Sequence, residues 1–168
     1  MVSAVYPGSF DPVTKGHLDL VERSLHLFES ITVAVSENIS KQPVFSLEER
    51  LDLLRQVLPQ TPRVQVTAFR GLIVEFCRTQ GYAAILRGLR TVADFEYEYQ
   101  MALTNRHLHS GVETVFVMPS LQYSYVSSSL IKDVVRHGGD VSKFLPPLVE
   151  QRLRARLAEL AAKSSRSC

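Results

Sequence analysis

The stretch VSAVYPGSFDPVTKGHLDL, residues 2–20, decides the fold class. Its lead, Val2-Ser-Ala-Val5, leans apolar as a short strand does, and Leu18, Val21, Leu25 and Phe28 then recur at helical spacing. Between them Pro7, Gly8, Pro12 and Gly16 make a stiff turn that ends on His17. Strand, rigid turn and helix form the first half of a βα unit, and the pattern repeats along the chain. Strands are expected at 2–6, 31–35, 64–67, 83–87 and 113–118, and helices at 17–28, 47–58, 72–80, 92–109, 127–137 and 147–162. Ser46-Leu-Glu-Glu49 reads as a capping box, and Gly138-Gly139 as a helix stop. Such alternation implies an α/β, Rossmann-like sheet of five parallel strands with helices on both faces. In these sheets ligands gather outside the carboxyl ends of the strands, near the point where strand order reverses. The residues that follow each strand are therefore the candidates.

At 168 residues the chain fits one domain, residues 1–162, followed by a frayed tail at 163–168. A net charge of +2 is too small to suggest a nucleic-acid or membrane surface, so anion binding must come from locally placed Arg and Lys. Cys77 and Cys168 form no CxxC and no disulfide framework, which favours a reducing, cytoplasmic setting. The first residues lack the pattern of a signal peptide, and no apolar run reaches the roughly 18 residues of a membrane span. The remaining histidines, His26, His107, His109 and His137, show no metal-ligand spacing, and no protein metal ligand is assigned.

After the first strand, the loop carrying Ser9 and Phe10 ends at Thr14-Lys-Gly-His17. It is neither GxGxxG nor a P-loop. It still suits a phosphate, because the next helix points free amide donors and the positive end of its dipole at the loop. The same residues are also compatible with a plain turn, a capping Thr14 and an exposed histidine. The second strand leads to a polar loop with Lys41, and the third to Leu72 and Ile73, which suit a core or an apolar slot. The fourth ends in Arg87-Gly-Leu-Arg90, where two arginines at the end of an interior strand call for either bound anions or acidic partners among Asp94, Glu96 and Glu98. After the fifth, Tyr123-Ser-Tyr-Val-Ser-Ser-Ser129 runs into a helix, and a capping role accounts for one of its last three serines.

Thr14-Lys-Gly-His17 resembles the (T/H)xGH signature of the nucleotidylyltransferase superfamily, and Val126-Ser-Ser-Ser129 its second, ISSS-type motif. More narrowly, YPGSFDPVTKGH, KQPVFSLEER, LRGLRTVADFEYEYQMALTNRHL and YSYVSSSLIKDVVRHGGDVSKFLP resemble the bacterial phosphopantetheine adenylyltransferases, in order and over nearly the whole chain. The resemblance implies transfer of an adenylyl group from ATP to 4′-phosphopantetheine, giving dephospho-coenzyme A and pyrophosphate, with Mg²⁺. It implies Ser9 and Phe10 at the junction of the two substrates and His17 at the α-phosphate. It further implies Lys41, Ile73 and Arg87 on the phosphopantetheine, and Gly88, Leu89, Arg90, Glu98, Tyr123, Ser124, Tyr125, Val126, Ser127, Ser128 and Ser129 on ATP. A homohexamer is the assembly it implies. An adenylyltransferase with another acceptor, such as nicotinamide mononucleotide, and a non-catalytic ATP-binding module are the alternatives.

Overall fold

The computed structural model describes residues 2–37 and 42–165. Its strands β1 (Ala4–Gly8), β2 (Ile31–Ser36), β3 (Val64–Phe69), β4 (Ala84–Gly88) and β5 (Glu113–Val117) form one parallel sheet in the order β3-β2-β1-β4-β5. The helices are α1 (Lys15–Ser24), α2 (Leu47–Val57), α3 (Ile73–Gln80), α4 (Val92–Leu108), α5 (Ser128–Arg136) and α6 (Pro147–Ser165). The five-stranded parallel sheet is as expected. Most ends lie within a residue of the expectation; the larger differences are that β1 begins and ends two residues later, α1 begins two residues earlier and stops at Ser24, β3 runs on to Phe69 and α6 to Ser165, and a 3-10 turn, Leu121–Tyr123, precedes α5.

The chain winds outward from β1 to β3, then crosses back to start β4 on the other side of β1. Strand order thus reverses between β1 and β4, and the loops after these strands meet at the crevice this creates. Pro7 widens it. Ala4 donates its N–H to Ser30 O on the β2 side, so by strand alternation residue 7 faces β4. A proline there has no N–H to give, and pairing of β1 with β4 stops at Val5↔Ile85, whereas pairing with β2 runs on to Gly8↔Val35.

Both faces of the sheet are packed. Tyr6, Val33, Val35 and Leu86 bury one face with Leu20 and Val21 of α1, Leu53 and Leu54 of α2, Ile131 of α5 and Leu153 of α6. Val5, Ala34 and Ile85 bury the other with Val74 and Cys77 of α3. The expected capping box opens α2, with Glu49 N–H on Ser46 Oγ at 3.2 Å and Ser46 N–H on Glu49 Oε2 at 2.9 Å. Gly138, at φ +78°, follows α5 where a helix stop was expected.

Candidate active site

His17 is the third residue of α1, and Thr14 is the N-cap. Thr14 Oγ1 accepts the His17 N–H at 3.3 Å, and His17 Nδ1 accepts the Thr14 N–H at 2.9 Å. The imidazole thus takes the place a Glu or Gln holds in an ordinary capping box. Because Nδ1 receives a main-chain N–H, the hydrogen-bond pattern assigns the ring proton to Nε2. Burial, and after it the charge of Arg90, push the imidazole pKa down to about 4. His17 is therefore a neutral donor at ordinary pH, held at a helix N-terminus. The turn and the capping threonine are both real, but the histidine is packed rather than exposed, edge-on to Phe10 with ring centres 5.1 Å apart.

Phe10 has φ +48°, a conformation that costs a bulky residue on the order of 1–3 kcal/mol and persists only where surroundings impose it. Asp11, next in the chain, is buried; it accepts the N–H groups of Val44 and Phe45 at 3.0 and 2.9 Å and an N–H of the Lys132 ammonium at 2.9 Å. Arg50, also buried, donates to the carbonyls of Ser9, Ser36 and Ser46.

The two arginines at the carboxyl end of β4, Arg87 within the strand and Arg90 just beyond it, have acidic partners. Arg87 Nε and Nη2 both bond Glu98, and Nη1 donates to the Pro7 carbonyl at 3.0 Å. Arg90 repeats the plan: Nε and Nη2 engage Asp94 at 2.9 and 3.2 Å, and Nη1 donates to Val126 O at 3.0 Å. Each guanidinium therefore uses three of its five N–H donors and keeps two for a ligand. Burial disfavours the Arg87 charge, but the hydrogen bonds and charge of Glu98 outweigh it and hold the group above its ordinary pKa. In the serine run, Ser127 caps α5 through Leu130 N–H at 3.1 Å and Ser128 donates to Pro12 O at 2.8 Å. Ser129 lines the cleft beside them.

These groups surround a cleft of about 320 Å³ at the switch point. Ser9, Phe10, His17, Arg87, Gly88, Arg90, Glu98, Tyr123, Val126, Ser127, Ser128 and Ser129 all line it. A second, more apolar cavity of about 340 Å³ opens between α3 and α4, with Leu72, Ile73, Tyr97, Met101 and Asn105 on its walls. The two share Pro7, Gly8, Ser9, Arg87 and Glu98, so they meet at the end of β1. Leu89, Ser124 and Tyr125 line neither cavity. Leu89 donates its N–H to Val117 O and Tyr125 packs edge-on against Phe144. Lys41 lies outside the described residues.

The sequence does not mark three of the groups that hold the site, Asp11, Arg50 and Lys132; the acidic partners expected for the arginines are found in Asp94 and Glu98. Arg50 and Lys132 reach loops far away in sequence, and nothing local marks them. Among the described residues no three His, Cys, Asp or Glu side chains group as a metal cage. The two carboxylates on the cleft wall, Asp94 and Glu98, are each engaged by an arginine, Arg90 and Arg87.

The cytidylyltransferase-like family model matches residues 5–134. A phosphopantetheine adenylyltransferase of Opitutus terrae is 53% identical over 155 residues, covering 92% of this chain and 97% of the relative. That of Thiobacillus denitrificans is 48% identical over 159 residues, covering 95% and 99%. Among solved structures, a Vibrio parahaemolyticus protein described as a nicotinate-nucleotide adenylyltransferase superposes with a TM-score of 0.63, covering 91% of this chain and 99% of its own. At 16% identity that likeness supports the fold alone.

Proposed function

The chain belongs to the phosphopantetheine adenylyltransferases, within the cytidylyltransferase-like family, and from that premise we propose how its residues divide the work. The reaction moves the adenylyl group of ATP onto 4′-phosphopantetheine, the reaction of coenzyme A synthesis that gives dephospho-coenzyme A and pyrophosphate. The observation that carries the reading is the junction of the two cavities: a polar one lined by Arg90 and the serine run and an apolar one walled by Leu72 and Ile73, sharing Ser9 and Arg87.

A phosphate oxygen of the acceptor attacks the α-phosphorus in line, and the bond from that phosphorus to the pyrophosphate oxygen breaks. The nucleophile is already anionic, so no general base is needed. The protein must align two anions and receive charge as it shifts. His17 donates from Nε2–H to an α-phosphate oxygen, with the Ser9 hydroxyl and the α1 amides beside it. Arg87, with Lys41, receives the acceptor phosphate through the donors that Glu98 leaves free. Arg90 and the serine run at the N-terminus of α5 hold the β- and γ-phosphates. Mg²⁺, when bound, neutralises charge on those phosphates. Leu72 and Ile73 wall the slot for the pantetheine arm.

The setting we assign is cytoplasmic, which the buried free thiol of Cys77 supports. Among the described residues no helix is long and apolar enough to cross a membrane. A homohexamer is the assembly we assign, and the apolar surface of α4 supports self-association. Pyrophosphate release from ATP with phosphopantetheine, and with nicotinamide mononucleotide as the rival acceptor, tests the function. Release with phosphopantetheine alone is expected. His17→Ala is expected to lower kcat by about 10²–10³, as loss of one transition-state donor does, with ATP binding retained. ATP binding without pyrophosphate release in the wild type would mark a non-catalytic module instead. An adenylyl-histidine, or retention at the α-phosphorus, would rule out the direct displacement.

A further inference from the structure

Phe10 is, among the described residues, the one non-glycine with positive φ, and both its neighbours are gripped by buried charged groups that the reaction itself does not use. On one side Arg50 of α2, 2% exposed, donates from Nη1 to Ser9 O at 2.8 Å and Ser36 O at 3.1 Å, and from Nε to Ser46 O at 3.3 Å. On the other, the Asp11 carboxylate takes two main-chain N–H groups of the segment before α2 and the Lys132 ammonium of α5. A guanidinium buried against main-chain carbonyls is expensive to desolvate, and a well-packed apolar side chain usually serves a fold as well. Its rigid fork can do what an apolar group cannot, which is fix the plane of a peptide.

The peptide in question is Ser9–Phe10. It is trans, since the chain's cis bond is Asp11-Pro12, so its N–H points opposite to its C=O. The carbonyl is drawn to Arg50, which lines neither cavity, while Ser9 and Phe10 both line the polar cleft. Among the described residues no acceptor takes the Phe10 N–H. We propose that Arg50 and Asp11 are positioning residues: they impose the left-handed conformation of Phe10, and so present its N–H to the cleft as a third donor beside the Ser9 hydroxyl and His17 Nε2. Lys132 extends the grip to α5, so the serine run and the Ser9 loop are held in one register. The inference rests on the adenylyl-transfer reading, in which these donors face the α-phosphate.

Arg50→Lys keeps the charge but loses the fork; Asp11→Asn keeps the size but loses the ion pair with Lys132. Each is expected to lower kcat for pyrophosphate release by about 10²-fold, as removal of one preorganised donor does, while the dissociation constant of a non-hydrolysable ATP analogue changes less than about threefold. Combined with His17→Ala, either loss should be smaller than the product of the single losses, because the donors serve one group. A folded Arg50→Lys enzyme with the wild-type kcat, or strictly multiplicative losses, overturns the proposal. Should both variants fail to fold, the wild-type protein carries the test: the ATP analogue should move the Phe10 amide proton downfield, and an unmoved signal overturns the proposal. An inactive wild type would instead sink the adenylyl-transfer reading.

Discussion

His17 is kept neutral by burial and, after it, by the charge of Arg90, while a main-chain N–H on Nδ1 fixes its tautomer. A folded pKa of about 4 against about 6.5 in the unfolded chain means that the unfolded state binds the extra proton first as pH falls. The stability linked to this group is complete above pH 6.5, declines as pH falls toward 4 and is lost below that, a loss on the order of 3 kcal/mol at most. Catalysis should not follow an imidazole titration near neutrality, because the acting form is the neutral Nε2–H donor. Nitrogen-resolved NMR of the His17 ring checks this: Nδ1 should be bare and Nε2 protonated at pH 7, with conversion to imidazolium only near pH 4. A ring that titrates near 6.5 contradicts the assignment. Arg87 and Arg90 carry a second residue-scale expectation. Glu98→Gln leaves Arg87 charged but frees donors it now gives to the carboxylate. The guanidinium then loses the fork that fixes its plane, so KM for phosphopantetheine should rise several-fold, as steady-state kinetics will report.

Among the elements, α1 shows how a local signal places a side chain in the cleft. Thr14 was legible as a cap from its place before the helix, but the reciprocal bond from His17 was not, because that role normally falls to Glu or Gln. Thr14→Ala removes the hydroxyl that accepts the His17 N–H and should cost about 1 kcal/mol in urea unfolding. It leaves the main-chain N–H on Nδ1, so kcat should fall much less than in His17→Ala; an equal fall would show that the cap itself orients the ring. The strands and helices were legible for a similar reason. Buried parallel strands read as short apolar runs, and the capping box at Ser46 and the glycine after α5 are written in neighbouring residues. Their order in space was not legible, since an apolar run does not name its neighbour. The same holds for the site. Residues placed by a strand end, such as Ser9, Arg87 and Arg90, could be listed from sequence. Arg50 and Lys132 act across distances of 41 and 121 residues on loops they merely touch.

In the whole molecule α4 is the element whose chemistry the single chain leaves unsatisfied. Phe95, Tyr97, Tyr99, Met101 and Leu103 are all exposed on it, and Asn105 is its one buried residue among those described. A helix apolar around so much of its surface belongs in an interface rather than in water. Tyr97 and Met101 also line the apolar cavity, so a contact that covers this face would share a wall with the proposed acceptor slot. Tyr99 does not line it; its ring stacks on Phe95 at 5.7 Å, away from both cavities, and offers a clean place to cut. Wild-type protein should sediment as a closed homo-oligomer of six chains. Tyr99→Glu buries a charge in any contact that covers this face, so it should shift the distribution toward smaller species at micromolar concentration. Because the nucleotide cleft is built within one chain, the smaller species should still bind ATP, while KM for phosphopantetheine rises as Tyr97 and Met101 lose their cover. A monomeric wild type, or a Tyr99→Glu oligomer of unchanged size, would place the interface elsewhere and leave α4 without its partner.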